Sequence, residues 1–463
     1  MIDDDVLERT LHHALRRGGD FAEVFGEDRQ VSNARLDDGR IEELVSGRSR
    51  GAGIRVVVGA TTGYAHTTDL SEAGLALAAE AAAAATRDGG ATSRVVALTE
   101  RPVPALDRSV LRPGDVAKDR KVALLHRAEQ AARGRGDAIR QVSAAYADGR
   151  RQIVVANSEG LLARDERVRT RFMVQCVAVG DTGMQTGVEA PGSTRGFEFF
   201  DELDPETVAH IAADRALAML HARPAPTGRL PVVLRRGAGG VLFHEACGHG
   251  LEGDLVGRDA SVFRGQVGQR VASPLVTLVD DGGMANEWGT SAIDDEGAPV
   301  QRNVLIEGGV LTDYLWDLTW ARKANRASSG NGRRETYQDL PMTRMTNTYL
   351  MRGVTDPDDI VADTEYGLYC AALGGGQVNT ATGDFVFGVT EAYLIEHGVL
   401  TEPVRSAQLV GNGLETLRLV DAVGSDFDTW AGTCGKNGQG VPVSSGQPTL
   451  RVAELTVGGT AGT

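Results

Sequence analysis

Residues 3–17 carry Val6, Leu7, Leu11, Ala14 and Leu15 at helical spacing, with charged residues between them. This predicts an amphipathic helix that Gly18-Gly19 stops. Four short β-like runs follow at 21–27, 41–45, 54–58 and 63–66, punctuated by glycine and aspartate. Residues 71–86 are alanine-rich and predict a second helix, with Ser71 as its N-cap. A similar block recurs further on. Residues 116–133 and 205–220 have helical spacing, and 139–146, 151–155 and 168–179 read as strands. Between the blocks, Pro102, Pro104 and Pro113 interrupt a stretch of little periodicity, which suits a linker.

From Leu230 onward the pattern changes to short strands and glycine-rich turns. One repeat stands out. Residues 305–312 read LIEGGVLT and 394–401 read LIEHGVLT, and each predicts a β-hairpin with its turn at the glycine. The fold class expected is α+β: an N-terminal α/β layered region followed by a β-rich C-terminal domain carrying the metal-binding helix. The expected boundaries are an N-terminal α/β domain at 1–90, a linker at 91–115, a central α/β region at 116–222 and a C-terminal domain at 229–463.

Composition changes this picture by exclusion. A chain of 463 residues has length for two or three domains, and its net charge is -15. An acidic chain is poorly suited to nucleic acid or to an acidic membrane surface. Its four cysteines are scattered, which is not a disulfide framework. The first residues have no signal-peptide pattern, and no run approaches the roughly 20 apolar residues of a membrane helix. The expectation is a soluble cytoplasmic protein with reduced thiols.

The chemistry concentrates in His244-Glu245-Ala246-Cys247-Gly248-His249. Residues 230–235 predict a strand and 237–249 a helix that Gly250 ends. Neutral imidazoles bind zinc, and an adjacent carboxylate can take a proton from zinc-bound water. Zincin helices place their histidines four residues apart, whereas these are five apart. On a regular helix that is about 140° around the axis, too far to share one ion. A π-type turn brings positions i and i+5 together, and Gly248 and Gly250 let the helix end loosen. A widened turn is therefore predicted here. Hydrolytic zinc wants a third protein ligand. The residues alone leave Glu252, Asp254, His397, Cys370 and Cys434 open. His397 aligns with Gly308 of the hairpin repeat and reads as a turn residue. Cys434 sits in the segment 432–438, GTCGKNG, which reads as a flexible loop able to turn a thiolate inward.

The run 244–254, HEACGHGLEGD, resembles the signature of the TldD/PmbA metallopeptidase family. Segments 261–268, 292–297, 330–335, 342–349, 374–378, 434–436 and 446–450 resemble its TldD branch, in order. The resemblance implies Zn2+ held by His244, His249 and Cys434, with Glu245 as general base. It implies cleavage of unstructured peptides, as in leader-peptide removal or small-protein degradation. It also implies assembly with a TldE/PmbA-like partner subunit or a homodimer. Cys247 falls at a variable motif position and reads as a buried thiol. The alternative is a non-catalytic peptide-binding or scaffold subunit of such a dimer. A gyrase-modulating role, a label attached to the family, gains no support from an acidic chain without a basic motif.

Four other patterns are weaker. Gly47-Arg-Ser-Arg-Gly51 matches a nucleophile elbow by letters, but a β-like run follows where a helix is required. Residues 248–253 match G-x-G-x-x-G, but end a helix instead of opening one. Arg333-Arg334 reads either as a solvated surface pair or as a clamp for a substrate carboxylate. The glycines at 374–376 read as a turn or as a place of close backbone approach.

Overall fold

The computed structural model describes residues 1–86, 94–104, 110–181 and 183–459. The fold is α+β. The predicted linker at 91–115 falls partly outside the described residues.

The N-terminal half is one sheet. In spatial order its main strands are Thr61–Thr67, Arg40–Val58, Phe21–Asp37, Ile139–Asn157 and Leu161–Gly180. Antiparallel pairing of Phe21–Asp37 with Ile139–Asn157 joins the first block of sequence to the second. Strand alternation then sorts the side chains. Ala22, Val24, Ala34 and Leu36 are buried on one face beneath helices. Helices Asp4–Ala14 and Glu72–Ala84 cover one end, and Lys118–Arg133 and Pro205–Leu220 the other. Ser71 caps its helix, its hydroxyl accepting from Gly74 N at 3.2 Å. The opposite face carries Glu23, Phe25 and Glu27, and it packs on the C-terminal half.

Several predicted strands merge. The runs at 41–45 and 54–58 belong to one strand, Arg40–Val58, and those at 139–146 and 151–155 to Ile139–Asn157. Ser49 lies inside the first of these, in register with Arg29, so no nucleophile elbow forms.

Among the described residues, the C-terminal half holds two large sheets and a two-stranded ladder of Gly332–Arg333 with Met342–Thr343. In the first, strands Tyr366–Val378, Gly228–Leu234, Leu450–Gly458, Gln408–Asn412 and Asp384–Glu396 pair in sequence. Asp384–Glu396 also pairs back to Tyr366–Val378, closing a ring. The apolar core of this half includes Val232, Leu234, Phe385, Phe387 and Val452. Glycines 374–376 lie within a strand of this ring, where the register shifts, and not in a turn. The second sheet runs Val310–Leu311, Arg302–Glu307, Leu278–Asp281, Asn347–Leu350, Gln439–Gln447 and Asp428–Lys436. Both copies of the repeat are hairpins. Gly308-Gly309 and His397-Gly398 turn them, all four with positive φ. His397 is thus a turn residue, hydrogen-bonded to exposed Glu365. Among the described residues, no helix is long and apolar enough to cross a membrane.

Candidate metal centre

The strand Gly228–Leu234 leads into the segment that carries the histidines. Gly237 turns the chain with φ +76°, and a short α-helix runs over Gly240–Phe243. The helix is shorter than the sequence predicts. Its continuation, His244–Gly248, is a π turn, and His249–Leu251 is 3-10. The widened turn expected from the five-residue spacing is present. It sets the rings of His244 and His249 5.3 Å apart between centroids, at 82° to one another.

Close packing holds this turn. A Cβ at Gly240 would lie 2.7 Å from the Ser445 carbonyl carbon, and one at Gly413 2.3 Å from the Ala246 carbonyl oxygen. The strand Gln439–Gln447 therefore touches the short helix, and the helix Gly413–Arg418 touches the π turn, backbone to backbone.

Cys434 is not in a loop. It lies in strand Asp428–Lys436, which the Asn437-Gly438 turn joins to Gln439–Gln447. Both turn residues have positive φ, as a tight hairpin requires. Alternation along the strand aims Cys434 inward with Val441 and Val443. Arg344, fully buried, donates to the Cys434 carbonyl at 2.5 Å and fixes the strand.

Together these elements bring His244, His249 and Cys434 together, with one potential ligand atom from each within 4.8 Å of the others. All three are buried. Cys434 Sγ is 3.3 Å from His249 Nε2. On the far side of that ring, Nδ1 meets Glu252 Oε2 at 2.9 Å. Among the described residues, neither ring nitrogen of buried His244 has a hydrogen-bond partner. Glu245 is 28% exposed, with Oε2 3.6 Å from His249 Nε2. Lys436 bonds Glu252 at 2.8 Å and Asp254 at 2.6 Å.

The electrostatics follow. Burial pushes the Cys434 thiol up, but the facing imidazoles outweigh it and hold the group well below its ordinary range. Burial likewise raises Glu252, and His249 and Lys436 outweigh it, setting the carboxyl at about 2. Cys247 and Cys370 have only burial, which raises both thiols well above the ordinary value.

Of the residues open as a third ligand, the fold therefore brings Cys434 to the histidines. Glu252 faces His249 from behind, Asp254 pairs with Lys436, and His397 is exposed on its turn. Lys436 and Arg344 were not singled out from the sequence. Lys436 had a signal, two residues beyond Cys434 and so on the same strand face.

Comparison with known proteins decides the family. The model for the PmbA/TldA metallopeptidase C-terminal domain matches residues 227–459. Those for its central domain and domain 1 match 111–220 and 22–86. The chain belongs to the TldD/PmbA metallopeptidase family. A metalloprotease TldD homolog of Haemophilus influenzae is 39% identical over 454 residues, covering 96% of this chain and 94% of that one. A zinc metalloprotease TldD homolog of Saccharolobus solfataricus is 30% identical, over 58% of this chain and 60% of that one. The crystal structure of TldE from Thermococcus kodakarensis shares the fold, with a TM-score of 0.80 at 19% identity. That match covers 98% of this chain and 100% of that one. For a TldD/PmbA protein, metallopeptidase chemistry is the family-level activity.

Proposed function

We propose that the chain is a zinc peptidase acting on unstructured peptides, with His244, His249 and Cys434 as the ligands. The observation that carries this reading is His244, a buried imidazole whose two nitrogens have no hydrogen-bond partner among the described residues, facing His249 and Cys434. A buried polar ring without a partner is costly, and a cation among the three groups removes that cost. Two imidazoles and a thiolate are a donor set that would hold zinc.

A bound zinc ion supplies Lewis acidity towards water and a peptide carbonyl. The remaining roles fall to the chain. Glu245, partly exposed beside the triad, accepts a proton from water and returns it to the leaving amine. Glu252 holds Nδ1 of His249, so that Nε2 faces Cys434. Lys436 balances the charge of Glu252 and ties Cys434's strand to the histidine segment. An extended peptide is recognised mainly through its backbone, as an added strand. A TldE/PmbA-like partner or a second copy of this chain, in the cytoplasm, completes the reading.

Metal analysis of the purified chain should find one equivalent of zinc. Glu245→Gln should keep the zinc and lose at least about 100-fold in cleavage of an unstructured peptide. Full activity in that variant refutes Glu245 as the base. A chain without stoichiometric zinc favours the scaffold reading instead.

A further inference from the structure

A second feature lies across the hairpin from the metal centre. Thr433 and Cys434 point to opposite faces of strand Asp428–Lys436. Cys434 faces the histidines, and Thr433 lines a cavity of about 420 Å3 between the N-terminal sheet and the C-terminal half. Seven arginines and three carboxylates line this cavity, in a chain of net charge -15.

Most of these charges are matched. Arg150 pairs with Glu166, Arg151 with Glu27, Arg167 with Asp165 and Asp295, and Arg334 with Glu23. Of the other lining carboxylates, Asp148 is held by Lys121 and Glu335 accepts from Gly440 N. Three arginines remain. Among the described residues, Arg29, Arg169 and Arg333 form no ion pair. Arg169 donates to the carbonyls of Trp288 and Thr290, both at 2.8 Å. Arg333, 5% exposed, donates to those of Met345 and Pro442 at 2.5 and 2.6 Å. Carbonyl oxygens satisfy the donors but do not neutralise the charge. Burial and the neighbouring arginines push Arg169 well below its ordinary pKa. Burial, aided by Arg344 and Arg167, lowers Arg333 to about 10.

This unbalanced set stabilises an anion. Guanidinium forks match carboxylates in shape, and Val31, Trp288 and Pro442 add apolar wall suited to a side-chain stem. We infer that the cavity anchors an acidic segment of the polypeptide substrate by its carboxylates, at a site separate from the metal centre. The ligand's being a polypeptide rests on the peptidase reading; the anion preference rests on the arginines alone.

The test is direct binding of fluorescein-labelled hexaglutamate to the full chain carrying Glu245→Gln, followed by anisotropy. Hexaglutamate should bind at least about tenfold tighter than a Gly-Ser hexapeptide, and added salt should weaken it. Arg29→Ala removes a cation without an ion pair, and Asn33→Asp adds a carboxylate to the lining at constant shape. Each should weaken hexaglutamate about fivefold or more with melting temperature unchanged. Equal binding of the two peptides, no binding of either, or unchanged binding in both variants overturns the inference. Displacement by inorganic phosphate at concentrations equal to the peptide's also overturns it, and marks a small-oxyanion site. Because the readout is binding, a failure of cleavage bears on the peptidase reading and leaves the anion preference of the cavity standing.

Discussion

At the scale of residues, the site is three ligand candidates plus the groups that aim them. Glu252 is the most consequential of the latter, since it is fully buried and joins His249 to Lys436. Glu252→Gln keeps the shape and removes the charge. It should lower metal affinity by about 10–100-fold, measured by competition with a chromophoric chelator. Wild-type affinity would rule out the orienting role. His244, Glu245 and His249 were legible because their chemistry is concentrated in six consecutive residues. Cys434 was not legible from chemistry alone. A thiol in a glycine-rich stretch reads as a loop, and only the resemblance favoured it. The Asn437-Gly438 turn explains the difference, because it makes that stretch a hairpin. Arg333-Arg334 reads as charged and therefore as surface, yet it is buried. Its carbonyl and carboxylate partners come from distant segments that no local pattern reveals.

At the scale of elements, helices were the most legible part. Pro205–Leu220 has the predicted bounds, because Asp204 caps it and proline starts it. Long strands were the least legible. Residues 46–50 are exposed on both faces, so the alternation that marks a half-buried strand is missing there. The π turn is the element on which the site depends. Gly413→Ala places a methyl against the Ala246 carbonyl, which is backbone and has no rotamer to escape by. We expect a loss of about 1–3 kcal/mol in stability, read by denaturant unfolding, with weaker metal binding. Unchanged metal affinity despite the lost stability would show that the turn tolerates displacement.

At the scale of the molecule, the two halves meet through buried charge. Arg55, 2% exposed, lies 2.8 Å from both Glu23 and Glu296. Arg55→Met leaves two buried carboxylates without that cation and should cost about 3–5 kcal/mol, measured by denaturant unfolding. A loss below 1 kcal/mol, on the order of a surface pair, would contradict the burial argument. The junction should also respond to pH. Burial, with Asp317 and Glu23 nearby, pushes Glu296 from the ordinary 4.5 up to about 7 against the pull of Arg55. The folded chain thus holds this proton more tightly than the unfolded chain. The resulting stability is full below 4.5 and is lost as pH rises through about 7. Relative to Glu296→Gln, the wild type should lose stability across that window; a constant difference would refute the assignment.

The long separation in sequence between His249 and Cys434 has a consequence for how the protein is made. His244 and His249 leave the ribosome well before Cys434 and the strands Gln439–Gln447 and Leu450–Gly458. Those two strands lie inside the two large C-terminal sheets, so neither sheet can be completed while they are still being translated. A nascent chain therefore carries both histidines without the thiol that joins them. The proposed peptidase is inert until the strand bearing Cys434 has been made and has joined the histidine segment.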